Sequence, residues 1–232
     1  MKIIIFIITI SISLSLQAQD LTAEQLLDKI IAYHDPDGNW EQFAGKFKIV
    51  LEMPDKPDRV STVTIDLLQD YFNLSTIQDG KTSFREIKNK ACRFSQEDGS
   101  VVETTVDDTQ CERGVLFKNY YTYLYGLPMK LKDAGTYLDP VVERKEFKGK
   151  EYLVLKVTYD KTVGTDIWQF YFNPETYAMQ IYQFFKSEDE TTGEYILLTG
   201  EALVNGIKMP KDRAWYYNKD DGYLGTDKLV VE

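Results

Sequence analysis

The sequence predicts an α+β fold, a large curled antiparallel sheet of about ten strands with two amphipathic helices on its concave face. Three observations carry this. Most of the chain alternates apolar and polar residues at period two between short turn signals; only two segments, near 22–34 and 112–125, repeat at helical spacing. Aromatics are abundant, at 16 Tyr, 12 Phe and 3 Trp, and these residue types favour pleated, half-buried surfaces. No linker rich in Pro, Gly or Ser and no internal repeat divides the chain, so residues 19–232 read as one domain.

Residues 1–18 read as a secretory signal peptide that is removed. Lys2 supplies the positive start, Ile3 to Leu16 the apolar run, and Ala18 the small residue at the cleavage point. The run is shorter than the ~20 apolar residues a spanning helix needs, and a polar, acidic stretch follows at once. No cysteine stands near the cleavage point to take a lipid. The mature protein is therefore expected to be exported, periplasmic or extracellular, without an integral membrane segment.

The first helix is well signed. Thr22 is a cap, Gln25 sits three residues on as in a capping box, and Leu21 and Leu26 hold the staple positions. Ala23, Leu26, Leu27, Ile30 and Ile31 form one apolar stripe, which Asp35-Pro36-Asp37-Gly38 ends. Period two then takes over, with Phe47, Ile49 and Leu51, then Val63, Ile65 and Leu67, on the buried side of two strands. Weaker strands follow at Tyr71 to Gln78, at Thr82 to Ile87, and around Cys92 and Val101, with Gln78-Asp79-Gly80-Lys81 as a hairpin turn. Cys92 and Cys111 are the only cysteines, and in an exported chain an even pair reads as a disulfide. It would close a loop of ~20 residues, worth about 3 kcal/mol by loop entropy. A redox or metal role lacks both the C-x-x-C spacing and a nearby His.

The second helix is expected from Glu112 to about Tyr125, with Val115, Leu116, Tyr120 and Tyr123 or Leu124 on its apolar side and Gly126-Leu127-Pro128 as its stop. Strands return at Val142 to Phe147, Tyr152 to Tyr159, Ile167 to Phe172, Met179 to Phe185, Tyr195 to Thr199, Ile207 to Met209 and Ala214 to Tyr217. Short turns join them, so the pairing is an antiparallel meander. A sheet of this size is expected to curl, with the helices filling its hollow.

Several late strands are apolar on both sides: Trp168, Phe170 and Phe172 oppose Ile167 and Tyr171, and Met179, Ile181 and Phe185 oppose Tyr182 and Phe184. Two readings follow. Either helices cover one face while aromatic rings tile the other, or the concave side holds more apolar surface than the helices use and leaves a ligand cavity.

Ala32-Tyr33-His34-Asp35-Pro36, the run Lys118 to Pro128, Phe147 to Asp160, Asp166 to Tyr177 and Gly206 to Tyr217 resemble an uncharacterised secreted bacterial family, a domain of unknown function. The F-x-F-N-P-x-T hairpin and the late G-I-K-M-P strand, with a helix at the start and another mid-chain, also resemble the lipoprotein-carrier class of periplasmic proteins. That resemblance implies an incomplete antiparallel barrel closed by helices, with acyl chains or lipoproteins bound in the hollow. It implies no catalytic residues.

Composition excludes several functions. With 27 basic and 37 acidic residues the formal charge is −10, so nucleic acid and anionic membrane surfaces are repelled. The single His34 stands at the exit of the first helix, no G-x-S-x-G is present, and a catalytic zinc site takes two or three imidazoles. His34 therefore reads as a helix-end residue. Tyr33 to Gly38 and Asn218 to Gly222 hint at calcium loops, but neither keeps the required spacing, and both read as Gly-terminated turns. The chain is expected not to be an enzyme and to need no cofactor or metal.

The expected function is capture of a hydrophobic or lipid-like ligand in the concave side of the sheet, lined by Tyr121, Tyr125, Trp168, Phe170, Phe172 and Trp215. The alternative is a ligand-free module whose exposed aromatics contact a protein or glycan.

Overall fold

The computed structural model describes residues 21–231, and the signal-peptide reading of residues 1–18 lies outside them. Helix α1, Ala23–His34, starts at the reciprocal box read in the sequence: Gln25 N–H donates to Thr22 Oγ1 at 3.2 Å, and Thr22 N–H donates to Gln25 Oε1 at 3.1 Å. Its stripe of Ala23, Leu26, Leu27 and Ile30 is buried. Six strands follow, β1 (Ala44–Met53), β2 (Lys56–Asp66), β3 (Tyr71–Gln78), β4 (Lys81–Lys88), β5 (Ala91–Ser95) and β6 (Val101–Thr105), and then helix α2, Glu112–Gly126. Eight more follow among the described residues: β7 (Thr136–Leu138), β8 (Glu143–Phe147), β9 (Lys150–Tyr159), β10 (Ile167–Phe172), β11 (Met179–Phe185), β12 (Glu194–Val204), β13 (Ile207–Tyr217) and β14 (Tyr223–Val230).

These strands form one antiparallel sheet in the order β6-β5-β4-β3-β2-β1-β14-β13-β12-β11-β10-β9-β7, with β8 also paired to β9. Nearly every neighbour is a hairpin partner. Two pairs are not, β7 with β9 and β14 with β1, and the second decides the architecture, because β14 returns to pair with β1 through Lys48↔Val230 to Glu52↔Thr226, and so joins the early and late meanders.

Two expectations are corrected here. The sheet has fourteen strands, not about ten, and it is open and uncurled, not an incomplete barrel; its pairing ends at β6 and β7 without closing. Curling is the expectation for a sheet too large to stay flat. The edges are made harmless by shortness, since β6 and β8 have five residues and β7 three. β14 escaped the period-two reading because its inward positions are Gly225, Asp227 and Leu229, only one of them apolar.

One face of the sheet carries both helices. α1 packs on β13 and α2 on β3 and β4, and their buried side chains join Phe47, Ile49, Val63, Phe72, Phe170, Phe172, Tyr182 and Ile196 in the main core. The face that α2 buries also differs from expectation. Gly114, Tyr121, Leu124 and Tyr125 point inward, whereas Leu116 is 64% and Tyr120 41% exposed. Aromatic and aliphatic residues surround this helix, so periodicity alone does not select one side. On the opposite face of the sheet Tyr152, Val154, Tyr171 and Ile181 form a second cluster with Phe147 and Leu197.

Candidate functional site: two clefts beside the second helix

The six aromatics expected to line a cavity pack chiefly against one another and their neighbours. Phe170 and Phe172 are fully buried, and Tyr125 lies against Phe47 with ring centroids 4.6 Å apart. Tyr121 is buried between Tyr125 at 6.1 Å and Phe72 at 6.2 Å. Half-buried Trp168 packs on Phe170 at 5.8 Å and meets Tyr123 of α2 at 6.1 Å. These rings fill the space between helix and sheet. Trp215 borders one cleft and Tyr121 another.

The first cleft, about 210 Å³, lies between Tyr120 of α2 and the ends of β1, β2, β12, β13 and β14. Its walls are mainly apolar, with Leu51, Met53, Trp215 and Leu224, and Arg59, Glu194 and Asp227 are its charged members. The second, about 180 Å³, lies between Arg113, Phe117 and Tyr121 of α2 and the β2–β4 meander. Arg59 borders both. Gly225 at the floor of the first cleft lets β14 approach β1: a Cβ there would stand 2.7 Å from the Glu52 carbonyl oxygen, and its φ of +154° suits glycine.

Behind the first cleft is a buried polar group set. Arg213 and Asp227 are direct cross-strand partners on β13 and β14. Arg213 is 1% exposed; its Nη1 donates to the Pro210 carbonyl at 3.0 Å, and its guanidinium stands 4.1 Å from the centre of the Tyr125 ring. Asp227 Oδ2 accepts from Trp215 Nε1–H at 3.2 Å. Burial raises the Asp227 carboxyl above its ordinary value, against the opposing pull of Arg213 and Arg59. The hydroxyls of Tyr125 and Tyr182, Arg213 Nε and Arg59 Nε are buried without a hydrogen-bond partner. Burial also holds the Tyr125 phenol far above its usual range, so it stays neutral.

Residues with chemical potential elsewhere are engaged structurally. His34 is buried and bonded through both nitrogens, Nδ1 with the Lys208 carbonyl at 2.8 Å and Nε2 with Met179 N–H at 3.0 Å. Nδ1 therefore carries the proton. The ring pins α1 to β13 and β11, where the sequence suggested the helix's own last carbonyls. The two calcium-like turns use their carboxylates internally. Asp35 accepts from Asn39 N–H at 2.8 Å and Trp40 N–H at 2.9 Å; Asp220 accepts from Gly222 N–H, and Asp221 from Tyr195 Oη–H and Lys148. Among the described residues no group of His, Cys, Asp or Glu side chains is arranged to hold a metal, and no helix is long and apolar enough to cross a membrane. Cys92 and Cys111 form the expected disulfide, which ties β5 to the start of α2.

Sequence reasoning did not identify Arg59, Arg85, Arg113, Arg213 or Asp227. The one available signal was Gly225-x-Asp227-x-Leu229, a period-two stretch with a carboxylate in an inward position.

Solved structures share this fold. A LolA superfamily protein from Nitrosomonas europaea superposes with a TM-score of 0.55 at 10% identity, over 91% of this chain and 93% of that one. A domain provisionally designated an outer membrane lipoprotein-sorting protein, from Vibrio parahaemolyticus, gives 0.51 at 10% identity over 89% of each chain. A DUF1329 family protein from Desulfovibrio piger gives 0.52 at 6% identity over 89% of this chain and 90% of that one. Among curated proteins none matches the sequence. The pattern of a family of unknown function, DUF6503, matches residues 2–232, and the chain belongs to that family.

Proposed function

We propose that this protein is exported, loses residues 1–18, and as a soluble domain of residues 19–232 binds a hydrophobic or lipid-like ligand beside α2. The observation that carries the reading is the first cleft, where Leu51, Met53, Trp215 and Leu224 leave apolar surface open next to a helix. Each methylene buried there contributes ~0.8 kcal/mol, so a chain is held without specific hydrogen bonds. The disulfide supports an oxidising compartment. The shared fold with a LolA superfamily protein and a lipoprotein-sorting domain supports the same ligand class.

Each cleft is smaller than the ~300–1,000 Å³ of ordinary ligand pockets. A long acyl chain therefore requires α2 to move away from the sheet. Tyr121, Tyr125 and Trp168 would line the enlarged space, with Trp215 at its mouth, while Phe170 and Phe172 would form its floor. No residue is assigned a catalytic role.

The alternative, an exposed aromatic contact surface, has less support. On the helix-free face Tyr152, Tyr171 and Tyr195 are buried, and Phe147 contacts Tyr171 at 5.5 Å and Tyr195 at 5.3 Å, so these rings cover one another.

Native mass spectrometry of the protein secreted into a bacterial periplasm, followed by denaturation and solvent extraction, tests the proposal. A reproducible extra mass recovered as lipid is expected. A clean polypeptide mass that stays unchanged after incubation with fatty acids and phospholipids would overturn it.

A further inference from the structure

The second cleft is chemically unlike the first. Its walls carry Arg59 from β2, Arg85 from β4 and Arg113 from α2, together with Thr76, Gln78 and Ser83, and no acidic residue lines it. In a chain of net charge −10 such a concentration of cations requires a reason. Neither Arg85 nor Arg113 is held by a carboxylate or by any hydrogen-bond acceptor among the described residues. Their guanidinium groups stand over rings instead, Arg85 at 5.7 Å from Phe94 and Arg113 at 5.6 Å from Phe117. Stacking engages a guanidinium face and leaves its N–H edge to bind. Arg59 contributes a buried Nε without a partner. Arg85 is partly desolvated and also feels the Arg113 charge, and both lower its pKa. Three like charges around about 180 Å³ repel one another, and an anion among them reverses the sign of that interaction.

We propose that the cleft formed by Arg59, Arg85 and Arg113 receives the anionic head group, a phosphate or a carboxylate, of the ligand whose apolar chain occupies the neighbouring cleft. This rests on the function proposed above and narrows it to an anionic amphiphile. Arg59, common to both clefts, marks the junction of head and chain. Thr76 and Ser83, paired across β3 and β4, add hydroxyl donors to the same wall.

Calorimetric titration of the delipidated protein with lauryl phosphate, laurate, lauryl alcohol and inorganic phosphate separates the possibilities. Lauryl phosphate and laurate are expected to bind at least about tenfold more tightly than lauryl alcohol, with an advantage that shrinks as salt rises. Arg85→Gln and Arg113→Gln should each reduce that advantage severalfold, and Arg113→Lys should retain part of it. Thermal unfolding of each variant confirms that it is folded, and the alcohol serves as an internal control because its binding should not change. Equal binding of alcohol and anions would overturn the anionic head group and leave a hydrophobic ligand standing. Binding of none of the amphiphiles would overturn both proposals. Inorganic phosphate binding as tightly as lauryl phosphate would make this a free-anion site and overturn the link between head and chain.

Discussion

Replacement of His34 is the sharpest test of how α1 is held. The ring is 2% exposed, donates from Nδ1 to the Lys208 carbonyl and accepts from Met179 N–H at Nε2, which only the neutral imidazole can do. His34→Ala leaves a buried N–H and a part-buried carbonyl without partners. At about 1–3 kcal/mol for a fully buried group and less for the other, the loss should total about 2–4 kcal/mol, a large share of the ~5–15 kcal/mol that usually stabilises a domain. His34→Gln can keep the acceptor for Met179 and should lose less. Burial lowers the folded-state pKa of His34 below its ordinary 6.5. The unfolded chain therefore binds the proton first: the stability from neutral His34 is fully present above about pH 6.5 and declines as pH falls toward the lowered folded value. Urea unfolding of wild type and both variants at neutral and mildly acidic pH measures these effects. As the protein has a single His, NMR titration reads that imidazole directly. An imidazole titrating at or above 6.5, or a His34→Ala variant as stable as wild type, would refute the assignment.

Four further outcomes are expected. Reduction of Cys92–Cys111, or replacement of both by Ala, should destabilise the fold by about 3 kcal/mol, as loop entropy gives for a separation of 19 residues, and calorimetric melting with and without reductant measures it. Gly126→Ala should cost about 1–3 kcal/mol in chemical denaturation, because the new Cβ would overlap Trp40 Cζ2, and Trp40 is itself buried. Tyr125→Phe removes a buried hydroxyl without a partner and keeps the ring beside Arg213, so it should unfold at the same or a higher temperature, with a gain of up to about 1 kcal/mol. Leu224→Trp fills the first cleft from a half-buried position, so fatty-acid binding should fall while the melting temperature stays near that of wild type.

Local signals were legible where a short stretch contains its own explanation. Thr22 and Gln25 announce α1 because the cap and its partner lie within one turn. Cys92 and Cys111 announce their bond because no other cysteine competes. The early hairpins follow from turn residues between alternating runs. Legibility failed where the deciding partner is distant. α2 has apolar residues on every side, and only the sheet beneath selects Tyr121, Leu124 and Tyr125 over Leu116 and Tyr120.

The chain's own pattern thus determines its class: a helix at each expected place, antiparallel strands joined by short turns, one disulfide, and a formal charge of −10. Those properties arise from neighbours within a few residues. Tertiary structure alone decides that the sheet stays open, because its edges are blunted by strand length and not by closure. It alone places β14 between β1 and β13, bringing Asp227 to Arg213 and the last strand to the first. It also gathers Arg59, Arg85 and Arg113 from two strands and a helix into one cleft. No periodicity encodes that convergence, since the three share neither an element nor a spacing, and their common charge is concentrated only when folding brings them to one cleft.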